Sequence, residues 1–181
     1  QNEIAKNPTA QERIDKLPPE QRDNILQTQM KVSKVIGYAT PVIVLVVYLI
    51  LAAVMLAVFN FGFGASMSYM TSMAVVTYSF LPTILSALLG ILAIFAGVNP
   101  ESFDIRNPVA TNPAYFMDPV SHKFLYGLAS GLDVFNLWVM ILMAIGFAAN
   151  SKAKKSTAFF VIFGLFLLYK VGTAAFAAAF S

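Results

Sequence analysis

Asp133 and Lys170 are the two ionisable residues that the chain sets deep inside long apolar runs. Each costs roughly 2.5–3.5 kcal/mol at the centre of a membrane helix, so each needs a reason to be there. At ~1.5 Å rise per residue, Asp133 falls ~24 Å and Lys170 ~20 Å from the basic link at 152–155 that joins their two runs. Antiparallel neighbouring helices would bring the two charges close. Three readings stand side by side. The pair is a buried ion pair that sets how the two helices pack. Alternatively, Asp133 sits near the outer interface while Lys170 snorkels toward the headgroups. The third reading is a proton or ion relay. A lysine in a last apolar run also suits a retinal Schiff base, but four runs offer no companion pocket.

The remaining chemistry-bearing residues are few. The 181-residue chain has no Cys, which excludes disulfides, iron–sulfur clusters and thiolate catalysis, and its one histidine, His122, lies beside a loop. No Ser/His/Asp set, phosphate-binding loop, glycine-rich dinucleotide motif or paired metal ligands appears. The expectation is a non-enzyme without metal or cofactor. The formal net charge of +3 comes without a long basic tract, so no nucleic-acid partner is expected.

A stripe of small and polar residues recurs at helical spacing: Ser79, Thr83, Ser86, Gly90, Ala93 and Gly97. Small residues let helices approach closely in lipid, so the stripe reads as a packing seam. Pro82 in the same run should kink it, because it lacks the N–H that closes the preceding turn. Trp138 reads as a packing residue whose indole N–H needs a partner.

The elements that carry these residues follow from composition. The chain is 58% hydrophobic and 12% charged, against roughly a quarter charged in soluble domains. Four continuous apolar runs, about 37–59, 71–97, 120–149 and 157–180, each reach the ~20 residues needed to cross a bilayer as a helix. Continuous rather than alternating runs exclude a barrel. The expected fold is therefore an all-α, polytopic transmembrane helical bundle. Residues 1–36 form a polar extramembrane segment, helical from Pro19-Glu20 onward. Residues 37–181 form a single membrane domain with an Asn-Pro-rich loop at 98–123. That loop holds Asn99-Pro100, Asn107-Pro108 and Asn112-Pro113, and Phe103, Tyr115 and Phe116 suit the interface. Asp118-Pro119 reads as the start of the third span. The lysines of the 152–155 link place that link in the cytoplasm, with 1–36 and 98–123 outside. A further span before residue 1 is then the simplest topology; the competing one has four spans only, with residues 1–36 inside.

Two segments resemble a known family. Tyr78-Ser79-Phe80-Leu81-Pro82 is similar to the Tyr-x-x-x-Pro element of the Yip family of Ypt/Rab-interacting membrane proteins. Asp133-Val134-Phe135-Asn136-Leu137-Trp138, followed by Leu142 and Gly146, resembles the Asp-x-Phe-x-x-Trp…Leu…Gly pattern of its bacterial branch. The resemblance covers roughly residues 20–181. It implies five membrane helices, a cytoplasmic N-terminus and a bacterial inner (plasma) membrane. It also implies a protein that binds partners rather than catalyses; some bacterial members are associated with ATP-driven export systems. The expected function is a membrane scaffold or accessory subunit that binds another integral membrane protein through helix faces, at the second span or the Ala-rich end (Ala174, Ala175, Ala177, Ala178, Ala179). A small transporter or channel subunit using Asp133, Lys170 and Pro82 is the alternative. An accessory subunit of a pigment or electron-transfer complex is a third class.

Overall fold

The computed structural model describes residues 16–97, 110–117 and 122–179, apart from the side chains of Lys123 and Ala178. The described secondary structure is all helical. In chain order it comprises α1 (Pro19–Phe63), α2 (Tyr69–Ser79), α3 (Leu81–Phe95), a 3-10 turn (Pro113–Phe116), α4 (Lys123–Ala129), α5 (Val134–Asn150) and α6 (Lys155–Ala179). Three stretches are long and apolar enough to cross a membrane: Pro19–Phe63, Tyr69–Phe95 and Lys155–Ala177. The protein is thus an all-α integral membrane protein. The contacts fall into two compact units, Gln1–Val47 and Tyr48–Ser181, with the division inside α1.

In the first unit, Pro19 opens α1 where its missing N–H costs nothing, and Glu20 follows at the positive helix end. The Pro18 carbonyl accepts from the amides of Gln21 and Arg22. The polar segment from Pro19 and the first apolar run form one 45-residue helix, despite Pro41 in its interior.

In the second unit, α5 is the hub. It packs against α2, α3 and α6, while α6 also packs against α4. The reason is legible in its face: Phe135, Val139, Met140, Met143, Ala144 and Phe147 recur at helical spacing and are all buried. Phe147 stacks on Phe59 of α1 with centroids 4.8 Å apart. Polar side chains of α2 lock onto backbone carbonyls of α1. Ser72 Oγ donates to Ala52 O at 2.7 Å, and Tyr69 Oη donates to Leu49 O at 3.0 Å. Ala52 is fully buried, and its small side chain permits that approach.

The turn between α1 and α2 is closed by Asn60. Its Nδ2 donates to Met67 O at 3.0 Å, and its Oδ1 accepts from Met67 N at 3.1 Å. Ser68 then caps α2 by accepting from Thr71 N. Asn60→Ala removes both halves of this clamp and is expected to destabilise the protein by about 1–2 kcal/mol. Its unfolding midpoint in mild detergent would fall; an unchanged midpoint would show that the turn is held by other contacts.

Two of the apolar runs are interrupted. The run 71–97 breaks at Phe80, with α3 starting afresh at Leu81-Pro82. Pro82 has no N–H to offer the carbonyl of Tyr78, so the helix cannot continue through it unaltered. The run 120–149 is not one span: α4 ends at Ala129 and the 17-residue α5 begins at Val134. A local competition explains the difference, because Asp133 captures two amides and starts a new helix (below). The helix start expected at Asp118-Pro119, and the Asn-Pro pairs at 99–100 and 107–108 with Phe103, lie outside the described residues. Asn112-Pro113 does end in a turn, the 3-10 segment Pro113–Phe116.

Candidate functional site

Asp133 stands in the gap between α4 and α5. With an extended backbone (φ −74°, ψ 138°), it is the N-cap of α5. Its Oδ1 accepts from Phe135 N at 2.9 Å and Asn136 N at 3.4 Å. Its Oδ2 accepts from Thr111 Oγ1 and from Asn112 Nδ2, the latter at 3.3 Å. Val134 N in turn donates to Thr111 O at 3.1 Å. One carboxylate therefore fastens the loop before α4 onto the start of α5. An ionised carboxylate has about four acceptor sites, and these four donors use them.

Three amides of the gap are satisfied locally, where lipid would offer no water instead. Ser130 N bonds Tyr126 O, Gly131 N bonds Leu128 O, and Leu132 N bonds Ala129 O, all within 3.1 Å. Ser130 Oγ adds a bond to Gly127 O. Lys170 of α6 crosses this gap. A Cβ on Gly131 would stand 3.0 Å from both Cδ and Cε of Lys170, so the lysine stem packs tightly against this glycine. Its Nζ lies 5.8 Å from the centre of the Phe166 ring, within cation–π range. Lys170 thus passes beside Gly131, two positions before Asp133. The direct contacts of the carboxylate are instead the hydroxyl, amide and backbone donors above, so the pairing differs from a direct ion pair. Asp133 also lies at a helix head rather than in the middle of an unbroken span.

The other sequence-predicted residues gather at different places. Ser79, Pro82 and Gly90 of the stripe are buried, and Thr83, Ser86 and Ala93 half-buried, while Leu81, Ile84, Leu85 and Leu88 between them are exposed. The stripe is therefore the inward face of this element. Two of its hydroxyls stay within their own backbone: Ser79 Oγ donates to Val75 O and Thr83 Oγ1 to Phe80 O, both at 2.7 Å. Gly97 lies beyond the C-terminal end of α3 in the left-handed region (φ 88°). His122 is exposed at the head of α4, and its carbonyl accepts from Tyr126 N.

Within the motif segments, Phe135 is buried, whereas Tyr78 and Trp138 point outward. Trp138 is 44% exposed, contrary to the packing role expected of it. It falls on the side of α5 opposite the buried stripe, which the helical period settles once α5 begins at 134. Gly146 stands about 20 Å along α5 from Asp133, so the motif residues do not form one cluster. A Cβ on Gly146 would meet Val75 Cγ1 at 2.6 Å; here α5 and α2 approach most tightly. Beside this contact runs a groove lined by Thr71, Ala74, Tyr78, Leu142, Ile145 and Asn150.

Sequence reasoning did not find Thr111, Gly131 or Val75, and read Asn112 only as a turn residue. Thr111 and Asn112 meet Asp133 across 22 and 21 positions, and no local pattern announces such a pairing.

A model of the Yip1 domain matches residues 13–176. No curated protein and no solved structure matches the chain. The chain belongs to the Yip1 domain family.

Proposed function

We propose that this Yip-family membrane protein is a non-enzymatic scaffold or accessory subunit, of the bacterial branch and its inner membrane, that holds another integral membrane protein against its helix faces. The observation that carries this reading is the state of Asp133. The one acid among the described residues of the second unit is spent on architecture, with its acceptor sites taken by four donors. What the molecule offers outward is apolar helix surface. Along α3, Ile84, Leu85, Leu88, Ile91 and Leu92 are all exposed, a continuous apolar face open to lipid or to a neighbouring helix. In this reading the 152–155 link is cytoplasmic and the partner is a multi-pass protein, with an ATP-driven export system among the fitting classes.

The chain lacks cysteine, so a single Leu88→Cys variant carries a unique cross-linking site. Cross-linking in native membranes should capture one defined membrane polypeptide, which also co-purifies in mild detergent. Recovery of the chain alone, uncross-linked from α3, would remove the proposal.

Interrupted helices give a transporter or channel subunit some support, because broken helices expose backbone groups that bind ions. The helices break at Phe80 and at 130–133, although amides at both breaks bond within the chain. That reading requires solute flux in reconstituted vesicles that disappears in Asp133→Asn while the fold survives; the scaffold reading expects no flux from either form.

A further inference from the structure

The link between α5 and α6 carries Lys152, Lys154 and Lys155, all exposed. No acid lies in the first turn of α6. Among the described residues of the second unit the sole acid is Asp133, at the opposite end of α5 about 25 Å away. Among the described residues of the unit, no acid lies near the three ammonium groups. Asn150, two residues before Lys152, lines the groove between α2 and α5 together with Thr71. From this polar mouth the groove continues along Ala74, Ile145 and Leu142. From Asn150 to Leu142 is about 12 Å along the helix, close to the depth of one leaflet of a ~30 Å core.

We propose that this is a binding site for one anionic phospholipid. Its phosphate sits among Lys152, Lys154 and Lys155, its polar backbone lies against Thr71 and Asn150, and one acyl chain lies in the groove. Unpaired basic residues at a membrane surface attract anionic headgroups. The groove adds what surface charge alone lacks, a shallow apolar surface that begins at Asn150, two residues before Lys152. The inference is independent of the scaffold reading, since it needs no protein partner.

Native mass spectrometry of the full chain in mild detergent, titrated with phosphatidylglycerol or phosphatidylcholine, tests it. One phosphatidylglycerol should be retained per chain, with at least about tenfold preference over phosphatidylcholine. Lys152→Gln, Lys154→Gln and Lys155→Gln together should abolish the preference. Ala74→Leu, which keeps every charge but fills the groove, should lower retention several-fold. Both changes are at exposed positions, and an unchanged elution profile confirms intact folding. Equal retention of the two lipids overturns the proposal, as does normal retention by Ala74→Leu, which would mean surface charge only. Displacement of the lipid by inorganic phosphate at equal concentration would reassign the site to a free anion. Disulfide-linked dimers of an Ala74→Cys variant would show a second copy in the groove instead, and overturn it too.

Discussion

Asp133→Ala is expected to cost about 3 kcal/mol and to loosen the loop at 111–117 from the membrane domain. The N-cap contribution alone is about 1 kcal/mol. The Thr111 hydroxyl and Asn112 amide also lose their bonds to the carboxylate, and a hydrogen bond to a charged group contributes about 1.5–3 kcal/mol. Lys170, which passes beside Gly131, also loses a nearby opposite charge, in surroundings where an uncompensated charge is expensive. Asp133→Asn retains an oxygen for the amides of Phe135 and Asn136 and should cost about half as much. Unfolding midpoints in mixed detergent measure both. The charge coupling is separable by a double-mutant cycle: Asp133→Asn with Lys170→Met should be less destabilised than the sum of the single changes. Additivity within ~0.5 kcal/mol would show that the two charges do not stabilise each other. Accelerated proteolysis at 111–117 in Asp133→Ala would report the loosened loop directly.

Gly146→Ala should be the most damaging methyl-sized change in the α2–α5 interface. The new Cβ would sit 2.6 Å from Val75 Cγ1, well inside contact distance. Val75 is β-branched and stiff in a helix, so it cannot swing aside cheaply. The helices must part or shift, costing about 1–3 kcal/mol as overpacking does elsewhere. Parting them strains the bonds from Ser72 and Tyr69 to the carbonyls of α1. Val75→Ala removes the obstructing methyls, so Gly146→Ala with Val75→Ala should recover most of the loss. If Gly146→Ala alone leaves the unfolding midpoint unchanged, the approach of the two helices is looser than these distances state. Gly127, where a Cβ would meet Ala174 Cβ at 2.9 Å, marks the matching approach of α4 to α6. The Ala-rich end of α6 is therefore partly an internal seam, not only an outward face.

Much of the architecture is legible in the chain because lipid is an exacting solvent. Backbone polar groups must bond within the segment, so an apolar run of sufficient length is helical unless a proline or a capping side chain interrupts it. The runs at 37–59, 71–97 and 157–180 needed no further information, and Pro82 announces its break through a missing donor. The inward stripe from Ser79 to Ala93 is readable for the same reason, since small residues at helical period are a local signal. Tertiary structure alone decided what Asp133 does. Read along the chain, it is a charge buried in an apolar run; in three dimensions it is a helix cap whose partners arrive from a loop more than twenty positions earlier. Periodicity encodes which face of a helix is apolar, but not which distant segment comes to rest on its end. The same holds for Gly131 and Gly146. Neither glycine shows from sequence whether it frees the backbone or makes room, and only the Lys170 stem and the Val75 methyls packed against them determine that it is room.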